Sequence, residues 1–167
     1  MKSDIFFETE LTNKALDIIR NYFHKKKDLG GNPYIYHLVR VANIVKNRLE
    51  NSPEFIYNNY FIETAYIIAL FHDILEDTNC TVKYLQDEGF EEDIIESVKI
   101  LTRNKNEDYF EYIKRVKENN YARIVKISDL IDNMDITRLN KFEDKDIERL
   151  KKYWLSYKYL TGKIENI

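Results

Sequence analysis

Apolar positions recur at three- and four-residue spacing along most of the chain, a periodicity that predicts helices rather than strands. Leu11, Ala15, Ile18, Ile19 and Tyr22 mark the inner stripe of a first helix over Thr9–Lys27. Asn32-Pro33 marks a turn, and a second helix from about Tyr34 to Glu50 directs His37, Val41, Ile44 and Val45 inward. Asn51-Ser52-Pro53 breaks the chain before a third helix, which starts near Phe55 or Tyr60 and runs through Leu75. Its segment Tyr66–Phe71 is the most apolar run present. Thr81 is a predicted N-cap for a short helix to Glu88, and Gly89 its stop. Amphipathic stripes then predict helices over Glu91–Leu101 (Ile94, Ile95, Val98, Leu101), Glu107–Asn119 (Phe110, Ile113, Val116) and Tyr121–Met134. A charged helix over Glu143–Thr161 is expected to hold Leu150, Trp154, Tyr157 and Leu160 inward. With no repeat, low-complexity tract or linker, the expectation is an all-α, single-domain helical bundle over residues 1–167.

Composition narrows the classes. Four Gly and two Pro leave few breaks and favour helix, while thirteen Tyr and nine Phe supply large core side chains. A net charge of −3 without a long basic block gives no nucleic-acid footprint. The single cysteine, Cys80, excludes a disulfide framework and a cysteine-rich zinc site, and suits a reducing, cytoplasmic setting. No apolar run approaches the roughly 18 residues that cross a membrane, and Met1-Lys2-Ser3-Asp4 leads into no signal-like segment. Oligomeric state is not legible.

The chemistry gathers at Ala69-Leu70-Phe71-His72-Asp73-Ile74-Leu75-Glu76-Asp77-Thr78, where a histidine and three carboxylates follow the apolar run directly. On a continuous helix His72 shares a face with Glu76, and Asp73 with Asp77. Buried ionisable groups need a metal, a charge partner or a cleft. His72 and Asp73 can ligate one cation from adjacent positions, with Glu76 and Asp77 a turn further on. A lone His37 on an apolar face reads as a hydrogen-bonded core residue; a second inward histidine makes it a candidate ligand. Asp129, inside the apolar stretch Tyr121–Met134, needs a partner, either a lysine or a metal. Two imidazoles and two carboxylates suit a first-row divalent ion such as Mn²⁺, Fe²⁺ or Zn²⁺. The basic run His24-Lys25-Lys26-Lys27 is either a complement to its helix dipole or an anion-binding arm.

In this order, His37, His72-Asp73 and Asp129 resemble the H…HD…D pattern of the HD-domain metal-dependent phosphohydrolases, whose fold is a helical bundle. Between about Lys25 and Leu139 the chain is similar, more narrowly, to the hydrolase domain of Rel/SpoT-type alarmone enzymes and their small single-domain relatives. Asn32-Pro33-Tyr34-Ile35-Tyr36-His37 resembles the entry to their first metal histidine. Phe71-His72-Asp73-Ile74-Leu75-Glu76-Asp77-Thr78 resembles their HD motif with its trailing Glu-Asp pair. Lys126–Met134 resembles their last metal aspartate followed by a nucleoside-contacting Asn. The chain departs from that pattern at Leu38, where Pro is usual, and at Leu130 and Asp132, where Arg and His or Tyr are common. Lys26-Lys27 is a loose counterpart of a guanine-contacting Arg-Lys pair.

The resemblance implies His37, His72, Asp73 and Asp129 as metal ligands, with Mn²⁺ the first expectation and Fe²⁺ or Zn²⁺ the alternatives. Glu76 and Asp77 become the groups that orient or deprotonate the attacking water. Lys26, Lys27, Arg103 and Lys105 are expected to hold phosphates, and Asn133 the sugar or base. The implied reaction is removal of the 3′-pyrophosphate of guanosine tetra- or pentaphosphate. Two alternatives stand beside it: an HD-type nucleotidase releasing inorganic phosphate, and a non-enzymatic helical partner of another protein, antitoxin-like.

Overall fold

The computed structural model describes residues 9–28, 30–55 and 58–167. The leading residues Met1–Asp4 lie outside the described residues; of the two candidate starts of the third helix, Phe55 lies in a turn and Tyr60 falls one residue inside the observed start at Asn59. The order is α1 (Glu10–Phe23), α2 (Ile35–Glu50), α3 (Asn59–Phe71), α4 (Ile74–Asp77), α5 (Val82–Asp87), α6 (Glu92–Leu101), α7 (Tyr109–Lys117), α8 (Asn120–Asn133), a 3-10 turn (Ile136–Arg138) and α9 (Asp144–Leu160). The all-α expectation holds. No helix among the described residues is long and apolar enough to cross a membrane.

Helix α3 is the axis of the bundle. It is apolar all round, and Thr64 through Phe71 are all buried. Such a helix must be enclosed on every side. It packs against α1, α2, α6 and α8, while α9 lies over α7 and α8. The core draws on residues from Ala15 in α1 to Leu160 in α9. Each buried Ile, Leu or Phe contributes roughly 1.5–3 kcal/mol before conformational entropy is counted.

Local signals behave as their chemistry requires. The Thr81 hydroxyl accepts from Tyr84 N and caps α5. Gly89, at φ 89°, follows that helix in the left-handed region open to glycine. Helix α1 stops at Phe23 rather than Lys27, because the next residues fold back. Tyr34 N donates to Lys26 O (2.9 Å), Asp28 N donates to Asn32 O (2.8 Å), and the Asp28 carboxylate accepts from Gly30 N and Asn32 N. A side chain at Gly30 would put its Cβ 2.4 Å from the Arg138 carbonyl oxygen, so this loop meets the 3-10 turn only through glycine.

Two further expectations are corrected. The third helix does not run through to Leu75: α3 ends at Phe71, and α4 begins at Ile74. His72 Nδ1 donates to Ala69 O at 2.7 Å, and Asp73 sits at φ −107°, ψ 0°, in the sparsely allowed bridge region where active-site residues recur. The helical face shared by His72 and Glu76 is therefore broken, though Asp77 N still donates to Asp73 O (2.9 Å). Trp154 does not point inward. It is 53% exposed and, with Ile147, Leu150 and Leu155 of α9 and Phe142 just before that helix, forms an apolar surface.

Candidate metal centre and cleft

Four side chains from three separate elements converge beside the break after α3. His37 comes from the first turn of α2, His72 and Asp73 from the break itself, and Asp129 from the middle of α8. His37, His72 and Asp129 offer ligand atoms that all lie within 4.8 Å of one another. His72 Nε2 is 3.0 Å from Asp73 Oδ2 and 3.6 Å from Asp129 Oδ1. His37 Nε2 is 3.3 Å from Asp129 Oδ1 and 3.9 Å from Asp73 Oδ2.

The outer bonds of each group fix which atom faces the centre. His72 Nδ1 is committed to the Ala69 carbonyl, which accepts, so Nδ1 carries the proton. Its Nε2 is buried and makes no hydrogen bond, because with the proton on Nδ1 it presents a lone pair to the Asp73 carboxylate 3.0 Å away, which has no hydrogen to donate. His37 Nδ1 is likewise committed, to Asp132 at 2.6 Å. Tyr34 donates its hydroxyl to Asp73 Oδ2 (2.5 Å). Asp129 accepts from Lys126 Nζ (2.8 Å) and from Asn133 Nδ2 (2.6 Å). Two imidazole lone pairs and two carboxylates are thereby aimed at one small volume. Such an arrangement is repulsive unless positive charge, carried by ring protons or by a metal ion, lies among them.

The electrostatics agree. Burial opposes an imidazolium at His72, but the Asp73 charge and Asp129 outweigh it and hold the pKa well above the ordinary histidine value. His37 is raised by Asp129 and Asp132 against the same burial. Burial would raise Asp129, yet Lys126 and the two histidines hold it well below the usual carboxylate range. Asp73 is lowered too, chiefly by His72 against its own burial. These groups want a cation, and the mixed N/O donor set fits a first-row divalent ion. Imidazoles whose other nitrogen is held by a carbonyl or carboxylate are the usual form of metal-binding histidine.

Beside this cluster lies a cleft of about 290 Å³. Its lining includes Glu76 and Asp77, the cations Arg103, Lys126 and Lys152, and the rings of Tyr109, Tyr112 and Tyr153. Lys152 lies 4.4 Å over the Tyr109 ring, Arg103 5.9 Å over the same ring, and Lys126 5.4 Å over Tyr112. Burial and the neighbouring cations Arg103, Lys126 and Arg149 push the Lys152 ammonium below its ordinary value. Cations held this close to each other favour an anion between them. Glu76 accepts from Arg103 N (3.1 Å), and Arg115 braces the same loop by donating to Ile100 O (2.8 Å) and to Glu107. Lys26 pairs with Asp77 at 2.5 Å and lies 4.6 Å over the Tyr34 ring. A smaller cavity of about 140 Å³ adjoins His37, bounded by Asp28, Tyr34, Arg138 and Leu139, and Asn133 borders both spaces.

The structure thus gathers His37, His72, Asp73, Asp129, Glu76, Asp77, Lys26, Arg103 and Asn133. It does not bring Lys27 or Lys105 to either cavity; both are exposed, on a folded-back loop and on a turn. The functional candidates not singled out by sequence are Lys152, the tyrosines of the cleft, and Lys126, which proves to be the lysine that pairs with Asp129. Lys152 and Tyr153 sit on α9, where charged and aromatic residues look like an ordinary solvated helix face.

An all-helical bundle with two histidines and two aspartates converging at a helix break is the architecture of HD-type hydrolases. The chain belongs to that family: the HD domain model matches residues 34–134, and the protein is a metal-dependent phosphohydrolase of this class. Among solved structures, the chain is similar to a metazoan orthologue of SpoT described as hydrolysing ppGpp and playing a role in starvation responses. The two share 19% identity with a TM-score of 0.71, over 97% of this chain and 92% of that one. At this identity the likeness speaks to fold. No curated protein matches the chain.

Proposed function

We propose that the protein is a 3′-pyrophosphohydrolase of guanosine tetraphosphate, acting as one functional domain over residues 1–167. The observation that carries the reading is the cleft itself, whose lining combines the carboxylates Glu76 and Asp77, the cations Arg103, Lys126 and Lys152, and the donors His72, Asp73 and Asp129. His37, His72, Asp73 and Asp129 are the assigned ligands, with Mn²⁺ first and Fe²⁺ or Zn²⁺ as alternatives. A divalent ion there supplies charge that polarises a phosphoryl oxygen and lowers the pKa of nearby water.

The chain's own groups do the rest. Glu76 and Asp77 orient water and accept its proton. Arg103, Lys126 and Lys152 hold phosphate oxygens, and Asn133, at the junction of the two cavities, meets the nucleoside. A P–O bond to water forms as the bond to the ribose 3′ oxygen breaks. That oxygen takes a proton, so the products are GDP and pyrophosphate. The similarity to a protein described as a ppGpp hydrolase supports the choice of substrate, and a cluster of three cations suits a pyrophosphate better than a single phosphate.

The test is incubation of purified protein with Mn²⁺ and guanosine tetraphosphate, with products resolved. GDP and pyrophosphate are expected. No cleavage there, with brisk phosphate release from a mononucleotide, refutes this substrate and favours a nucleotidase. The cations make a sharper prediction. A charge-assisted hydrogen bond is worth about 1.5–3 kcal/mol, so Lys152→Ala should raise KM for guanosine tetraphosphate roughly 10–100-fold while kcat falls less. Steady-state kinetics with an unchanged KM would remove Lys152 from the phosphate site.

A further inference from the structure

Asp132 stands where the related motif commonly carries His or Tyr, and it is buried, with 5% of its side chain exposed. Its Oδ2 accepts from His37 Nδ1 at 2.6 Å. Arg40 grips the same carboxylate with two prongs, Nε to Oδ1 at 2.7 Å and Nη2 to Oδ2 at 3.2 Å. Arg138 donates through Nη1 both to that carboxylate and to the Asp132 carbonyl oxygen, the latter at 2.6 Å. Asp28, whose side chain is 4% exposed, lies 3.5 Å from Arg138 Nη2 and 4.0 Å from Arg40 Nη2. Two aspartates and two arginines thus balance to zero charge beside one face of His37.

From this we infer that Asp132 is a positioning residue for the metal. The neutral quartet fixes the proton of His37 on Nδ1, so that the Nε2 lone pair is the one presented toward Asp129, and the carboxylate makes the imidazole a stronger donor. A simple core ion pair would satisfy Arg40 and Arg138 without engaging the ring. Here all three donors converge on one carboxylate, and the ring's bond is among the shortest. Removing the arginines would leave Asp132 an uncompensated charge against the ligand, and removing Asp132 would leave two arginines beside it. Outer partners of ligating histidines typically contribute 10–100-fold to metal affinity. The inference rests on the ligand set proposed above, and its test separates the two.

The test measures Mn²⁺ and Co²⁺ affinity of purified protein by competition with a chromophoric chelator, alongside the visible spectrum of Co²⁺-loaded protein. Asp132→Asn, nearly isosteric, should weaken affinity roughly 10–100-fold and shift the Co²⁺ spectrum, with helical content unchanged. Should that variant fail to fold, Arg40→Gln gives the same reading from the half-exposed end of the quartet, through a smaller loss of affinity and the same direction of spectral change. Wild-type affinity and an unchanged spectrum in the folded variant, with His37→Ala losing metal, would overturn the positioning role and leave the ligand set standing. Unchanged affinity in His37→Ala itself would overturn both.

Discussion

His72→Ala is expected to lose bound metal and turnover together. The reason lies in how its ring is held. Nδ1 is spent on the Ala69 carbonyl, and Nε2 is buried with no hydrogen bond, facing two carboxylates. An ion among these donors would bind that nitrogen directly. Deleting the ring removes one of four donors and leaves Asp73 and Asp129 without a partner on that side. Heat denaturation reads the result without any substrate. A ligand at 100 times its Kd stabilises by about 2.7 kcal/mol, and a chain of this size gains about 2–4 °C per kcal/mol. The wild-type Tm should therefore rise by roughly 5–10 °C with saturating Mn²⁺, and the variant's should not move. Full metal occupancy of the variant by elemental analysis, or an undiminished thermal shift, would sink the assignment.

The parts of this protein that were legible in its sequence are those written in local patterns. Helical periodicity located α1, α2 and α5 through α9 to within about four residues, though on α9 it misplaced part of the inward face, since Leu150 and Trp154 belong to an exposed apolar surface there. Thr81 and Gly89 were readable because capping and left-handed backbone are properties of single residues. His37, His72, Asp73 and Asp129 were each conspicuous because ionisable groups inside apolar stretches are costly, but only the resemblance to the H…HD…D pattern joined them into one expected set, of which His37, His72 and Asp129 bring ligand atoms within 4.8 Å of one another. The break at His72-Asp73 was not readable: nothing in Phe71-His72-Asp73-Ile74 forbids helix. The turn is imposed when the His72 ring bonds Ala69 and Asp73 is drawn to Tyr34, both of which depend on the packed bundle. Lysines were the other failure. Lys27 and Lys105 lie in basic stretches yet point to solvent, whereas Lys152, in an unremarkable charged helix, reaches the cleft. A long flexible side chain carries no sequence record of its direction; only the placement of α9 over α7 and α8 decides it.

Glu76→Gln combined with Asp77→Asn should retain metal and fold while losing most turnover. Both residues sit in the short α4 and are exposed at the cleft wall, so neither supports the core. Neither is among the four donors assigned to the ion, and metal affinity is expected to stay near wild type. Their anchors differ: Glu76 accepts from Arg103 N, and Asp77 pairs with Lys26. Each carboxylate is thus held in place by one group while keeping oxygen atoms free toward the cleft. The amides preserve shape and hydrogen bonding but cannot accept a proton from water at neutral pH. General acid–base groups contribute about 10²–10⁴-fold, so kcat should fall within that range, while KM changes little because Arg103, Lys126 and Lys152 are intact. The Asp77→Asn change also frees Lys26 from its ion pair, a half-buried interaction at the cleft rim that the asparagine can still meet as a hydrogen-bond acceptor, and whose loss acts on position rather than on proton transfer. The informative comparison is single-turnover cleavage of guanosine tetraphosphate by metal-loaded wild type and double variant, with metal content measured on the same samples. Near-normal turnover would make Glu76 and Asp77 a solvated helix end and move the proton acceptor elsewhere in the cleft. A loss of turnover matched by loss of metal would instead place one of them among the ligands.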